Sequence, residues 1–93
     1  MTQNPIAIVT GGGAGIGAAI SRVLAENGHQ VIVADLAADN AEAVASAICA
    51  NGGSARAHAL DVTDAAAVAR LAEEAGDVRL LVNNAGIFNV KGF

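Results

Sequence analysis

Ile6-Ala7-Ile8-Val9-Thr10-Gly11-Gly12-Gly13-Ala14-Gly15-Ile16-Gly17 is the stretch on which the fold turns. An apolar run too short for a helix enters a glycine turn, and a helical pattern follows from Ile16 to Asn27. Glycines in such a turn permit positive φ, let backbone N–H groups approach a pyrophosphate, and let the helix sit closely on its strand. A glycine-rich turn alone is a weak signal, since it also serves packing. Here strand, turn, helix, second strand and terminal acid follow one another at the spacing a dinucleotide site needs.

On the N-terminal side, residues 5 to 10 read as a short buried strand with Pro5 tolerated at its first position. On the C-terminal side, Ile16, Ala19, Ile20, Val23 and Leu24 form a stripe expected to face a sheet, with Gly28 as the stop. Val31 to Ala34 is a second continuous apolar run, ending at Asp35. Runs that do not alternate indicate strands covered on both faces, as in a parallel α/β sheet. A second helix is predicted from Asp39 to Asn51. Asp39 and Glu42 form its capping box, Ala41, Val44, Ala45 and Ile48 its stripe, and Gly52-Gly53 its end.

From Ala55 to Leu60 small residues alternate with Arg56, His58 and Leu60, which fits a strand at the sheet edge. Asp61-Val62-Thr63 leads into a third helix capped by Thr63 or Asp64, with Val68, Leu71, Ala72 and Ala75 inward. Val78 to Val82 is the fourth strand and runs into Asn83-Asn84-Ala85-Gly86.

This β-α-β-α-β-α-β series predicts an α/β, Rossmann-type doubly wound parallel sheet in strand order 3-2-1-4. Residues 1–93 are read as one dinucleotide-binding domain that stops before the later strands of such a sheet. A ligand cleft then lies at the carboxyl ends of the strands, where Gly11, Asp35, Asp61 and Asn83 all fall.

Composition narrows the partners. The 93 residues are 54% hydrophobic with a mean hydropathy of +0.49, much of it alanine, so the core must be closely packed from small side chains. Five basic against nine acidic residues, with no basic cluster, argue against nucleic acid and anionic membranes. No positive charge precedes Arg22, and Pro5 and the glycines break the N-terminal segment. Neither a secretory signal nor a membrane helix fits, and a cytoplasmic protein is expected. Cys49 is read as a small buried helix residue, and His29 and His58 as surface or structural histidines, because no second ligand lies at metal spacing.

Asp35 follows the glycines by close to the roughly 20 residues at which an acid meets the adenosine ribose. A carboxylate there accepts both ribose hydroxyl hydrogens and repels a 2′-phosphate. Neither Ala14 nor Leu36 supplies a base to neutralise that phosphate, so NAD is expected over NADP. Asp61 is either a turn or cap residue alone, or one that also touches the adenine edge. Asn83 and Asn84 are also readable as turn residues that tie strand ends together.

Taken together, Thr10-Gly-x-x-x-Gly15-Ile16-Gly17, Asp35, Asp61-Val62-Thr63 and Asn83-Asn84-Ala85-Gly86 resemble the N-terminal half of a short-chain dehydrogenase/reductase, from Ile6 to about Gly86. The resemblance implies hydride transfer between a nicotinamide and a carbonyl/alcohol pair. It also implies that Gly11, Ala14, Gly15, Ile16 and Gly17 surround the pyrophosphate, Asp35 holds the ribose, and Asp61 and Val62 flank adenine. Asn83, Ala85 and Gly86 would support the sheet and line the path to nicotinamide. The Asn-Ser-Tyr-Lys set of the family has no matching position: the chain contains no tyrosine, and its one lysine is Lys91. General acid help is worth about 10²- to 10⁴-fold, so no turnover is expected from these residues alone. An uncovered fourth strand would also leave an apolar patch and favour self-association. The alternatives are a non-catalytic NAD-binding or interaction module and an inactive truncated product.

Overall fold

The computed structural model describes residues 4–61 and 63–84. Four strands, β1 (Ile6–Thr10), β2 (Gln30–Asp35), β3 (Ser54–Ala59) and β4 (Val78–Asn83), alternate with helices α1 (Gly15–Glu26), α2 (Ala38–Ala50) and α3 (Ala65–Ala75). The sheet is parallel and ordered β3-β2-β1-β4, as the alternation of short apolar runs and helices predicts. Its centre is β1 and β2, where Ala7, Ile8, Val9 and Val31 through Ala34 are buried. These are the two runs without polar interruption, and continuous burial is what a sheet covered on both faces demands.

Strand residues alternate between the two layers. Val9, Val31 and Val33 pack with Ala18 of α1 and with Ala41, Val44, Ala45 and Ile48 of α2. Ile8, Ile32 and Ala34 pack on the other face with Leu71 of α3. The predicted α2 stripe therefore faces the sheet. Cys49 lies outside that stripe and is exposed rather than buried, its thiol 3.3 Å from the Ala55 carbonyl.

The α1 stripe is also rotated from its predicted position. Gly17, Ala18 and Ser21 are the residues buried, whereas Ile16 and Val23 are 68% and 53% exposed. The reason is close approach: with no side chain at Gly17, α1 settles onto the glycine turn on its small-residue face, which carries Ile16 and Val23 outward while Ile20 and Leu24 of the predicted stripe still pack against the core. Leu80 and Leu81 of β4 and Leu36 after β2 are exposed as well.

Helix starts differ in how their free amides are met. α3 begins after Asp64, whose Oδ1 accepts from the Ala66 and Ala67 amides at 3.1 and 3.2 Å. Asp64→Ala is expected to lower stability by about 1 kcal/mol, the usual worth of such a cap, read as a lower melting temperature. α2 begins at Ala38 with no side-chain cap, so the predicted Asp39 capping box does not form. Asp35 Oδ1 already accepts the Ala37 amide at 2.9 Å, which steers the chain into α2 ahead of Asp39. Asp39 is left in the first turn, where a negative charge favours the helix dipole.

Candidate functional site

Parallel pairing aligns the strand tips. Thr10 pairs with Ala34 on one side and Asn83 on the other, and Asp35 pairs with Ala59. The predicted positions at the ends of β1, β2 and β4 thus share one edge of the sheet, and Asp61 follows two residues beyond β3. Val62, Ala85 and Gly86 lie outside the described residues.

The glycine turn leaves β1 with Gly11 at φ 65° and enters α1 with Gly15 at φ 56°, conformations that disfavour a side chain. Between them, the Gly12 amide donates to the Ala34 carbonyl at 3.2 Å and the Gly13 amide to Asp35 Oδ2 at 2.9 Å. The turn is therefore bonded to the tip of β2. The first amides of α1 have no intrahelical acceptor. Ala14 brings no side-chain cap, and no acid occupies the first turn. With a positive dipole end and no side-chain cap or acid in the first turn, this helix start among the described residues has the electrostatics that suit an anion.

Gly17 is fixed by space rather than by φ. A Cβ there would run into the Gly11 carbonyl oxygen and stand 2.9 Å from Asn84 Nδ2. Asn84 is buried and donates from Nδ2 to the Gly11 carbonyl at 3.3 Å. The buried Thr10 hydroxyl reaches the Val82 carbonyl at 3.2 Å and Asn83 Oδ1 at 3.1 Å. Asn83 and Asn84 therefore tie strand ends together, as their reading as turn residues expects, Asn83 through Thr10 and Asn84 through Gly11. Hydropathy gives no sign of the Thr10 contact, because a threonine ending a strand is commonplace.

Asp35 is half-buried and uses both oxygens on backbone amides, Oδ2 on Gly13 and Oδ1 on Ala37. An ionised carboxylate has about four lone-pair positions, so each oxygen keeps one for another donor. The carboxylate is thus held in place and still able to accept two hydroxyls.

Asp61 is exposed and forms an Asx turn, its Oδ1 accepting from the Thr63 hydroxyl at 2.6 Å and the Thr63 amide at 3.0 Å. These bonds, the hydroxyl first, hold its carboxyl below the ordinary carboxylate pKa. A carboxyl depressed on folding adds stability above its unfolded pKa, and that contribution is lost as pH falls through the folded value. Thr63→Ala is expected to raise the Asp61 pKa in a carbon-detected NMR titration, and any melting difference between the two proteins should vanish at acidic pH.

A cavity of about 180 Å³ opens beside the tips of β1 and β4, lined by Thr10, Ala65, Val68, Leu81 and Asn83. A larger one of about 330 Å³ lies between the C-terminal halves of α1 and α2, lined in part by Arg22, Glu26, Ile48 and Asn51. That second cavity is at the opposite end of the strands and takes no part in the tip site. Among the described residues no group of three or more His, Cys, Asp or Glu residues is arranged to hold a metal ion, and no helix is long and apolar enough to cross a membrane.

Residues 5–93 match the short chain dehydrogenase family. The chain is 42% identical over 92 residues to a 2,5-dichloro-2,5-cyclohexadiene-1,4-diol dehydrogenase of Sphingobium indicum, covering 95% of this chain and 37% of that protein. It is 42% identical over 86 residues to D-threitol dehydrogenase of Mycolicibacterium smegmatis, covering 88% and 33%. Among solved structures, hydroxysteroid dehydrogenase from Escherichia coli superposes with a TM-score of 0.76 at 38% identity, covering 87% of this chain and 36% of that one. A citronellol catabolism dehydrogenase of Pseudomonas aeruginosa superposes with a TM-score of 0.78 at 35% identity and the same coverage. The chain thus spans about a third of the length of these relatives.

Proposed function

The chain belongs to the short chain dehydrogenase family, and from that premise we propose that residues 1–93 form a dinucleotide-binding domain that takes NAD(H) in preference to NADP(H). In this reading it is the cofactor-binding portion of an oxidoreductase acting on an alcohol/carbonyl pair. The observation that carries it is Asp35: a carboxylate held between the glycine turn and α2, with one acceptor position left on each oxygen. Two neighbouring ribose hydroxyls fit that pair of positions. A 2′-phosphate would meet a negative charge, with Ala14 and Leu36 offering no base beside it.

The pyrophosphate goes to the amides of the α1 start, within the stretch Gly11, Ala14, Gly15, Ile16 and Gly17, where a Cβ at Gly17 would close the approach. Asp61 and Val62 flank the adenine, and Asn83, Ala85 and Gly86 lie toward the nicotinamide. When bound, NAD(H) supplies the hydride chemistry. The residues of this chain bind and orient it, and none of them is a tyrosine that could donate a proton to the reacting oxygen. The relatives' names, a diol, a threitol and a hydroxysteroid dehydrogenase, support an alcohol as substrate. A cytoplasmic setting, and self-association through the exposed apolar residues of β4, complete the reading.

Titrating the purified protein into NADH and following nicotinamide fluorescence tests it. Saturable binding fully reversed by ADP-ribose is expected, because the adenosine and pyrophosphate contacts dominate. Fluorescence that never saturates, or that ADP-ribose leaves unchanged, would contradict the assignment.

A further inference from the structure

Gly13 does not need to be glycine for its backbone, since it is not among the positive-φ glycines. It is glycine for space. A Cβ at this position would stand 2.9 Å from Asp35 Oδ2, from Asn40 Cβ and from the Ala41 amide nitrogen. Two of those neighbours belong to the first turn of α2, where the Ala41 amide is tied to the Ala37 carbonyl at 3.1 Å. The third is the Asp35 carboxylate itself, but turning it aside would leave the Ala41 nitrogen and Asn40 Cβ in place. A side chain at residue 13 therefore forces the glycine turn and the start of α2 apart, and with them the two amides that hold the Asp35 carboxylate.

We infer that Gly13 is a specificity-determining residue that acts through Asp35: its N–H and its missing side chain fix the orientation of the carboxylate that separates NAD(H) from NADP(H). The Gly13 amide holds Oδ2 and the Ala37 amide holds Oδ1, each at 2.9 Å. The carboxylate is clamped from two elements, the glycine turn and the entry to α2. With both oxygens held, the carboxylate keeps one orientation, and orientation decides whether two hydroxyls are met together. Loosening either amide should cost the cofactor that uses both oxygens and spare, or help, the one the carboxylate repels. This inference rests on Asp35 as the ribose-binding group.

The test is calorimetric titration of NADH and NADPH against Gly13→Ala, Asp35→Ala and the double variant, with far-ultraviolet circular dichroism to confirm folding. Gly13→Ala is expected to shrink the NADH:NADPH affinity ratio about tenfold, a change of about 1.4 kcal/mol. In the Asp35→Ala background the same substitution should alter the ratio by less than about twofold, since coupled residues are not additive. Where Gly13→Ala does not fold, Ala37→Pro decides the matter. It removes the other clamping N–H at a residue whose φ of −82° is close to what proline adopts, and it too should shrink the ratio. Equal weakening of both cofactors by Gly13→Ala, with the ratio kept, would overturn the inference while the ribose reading stands. An unchanged ratio in Asp35→Ala would overturn both.

Discussion

Gly17→Ala is expected to lower the melting temperature by more than about 10 °C and to abolish dinucleotide binding. The added carbon has nowhere to go. It runs into the Gly11 carbonyl oxygen, which is backbone, and its other near neighbour is Asn84 Nδ2, which is itself bonded to that carbonyl. Overpacking a closed site costs about 1–3 kcal/mol and more where backbone must move. For a domain of this size each kcal/mol is worth about 4–8 °C. Relief requires α1 to draw back from the turn, which opens the close packing that buries Gly17, Ala18 and Ser21. Gly15→Ala is the informative control. Nothing lies within 4 Å of its added Cβ, and only the left-handed φ opposes it, at about 1–2 kcal/mol. Thermal melts should rank Gly17→Ala below Gly15→Ala; the reverse order would show that space at the helix start is not what Gly17 supplies.

Asp35→Ala is expected to weaken NADH binding by about 10- to 100-fold, as loss of hydrogen bonds to a charged group implies. NADPH binding should change less or improve, because a charge that repels the 2′-phosphate is gone. The fold also loses the shared acceptor of the Gly13 and Ala37 amides, so the melting temperature falls as well. Asp35→Asn separates the two effects: it keeps an oxygen for one amide and removes the charge. It should recover part of the stability while still favouring NADPH relative to the unchanged protein. Parallel losses for both cofactors in Asp35→Ala would show that this acid supports the turn without contacting the ribose.

How much of this was legible in the residues depends on which physics set each feature. The sheet order could be read because Ile6–Val9 and Val31–Ala34 are unbroken apolar runs, and a parallel sheet with short crossovers is the arrangement that covers both of their faces. The tip positions of Asp35 and Asn83 follow from where those runs and Val78–Val82 stop. Hydropathy locates the face of α1 only in part: Ile20 and Leu24 of its stripe pack against the core, but a close approach selected Gly17, Ala18 and Ser21 over Ile16 and Val23. Counting apolar side chains has no means of scoring an absent one. The start of α2 departs from the local pattern for a related reason. Asp39 and Glu42 have the right local spacing, but the carboxylate that meets the first amide comes from the end of β2. Cysteine's general preference for burial predicts a buried Cys49, but its position off the α2 stripe leaves it exposed. For α1 and α2 a contact across elements overrode the local pattern, whereas for Cys49 the stripe itself is the better guide.

The most direct measurement is isothermal calorimetry of the purified protein with NADH and NADPH in separate titrations at one salt concentration. A single site per chain with NADH at least about tenfold tighter is the result predicted by a diphosphate at the α1 start and a ribose on Asp35. Equal affinities, or no heat with either nucleotide, would contradict it.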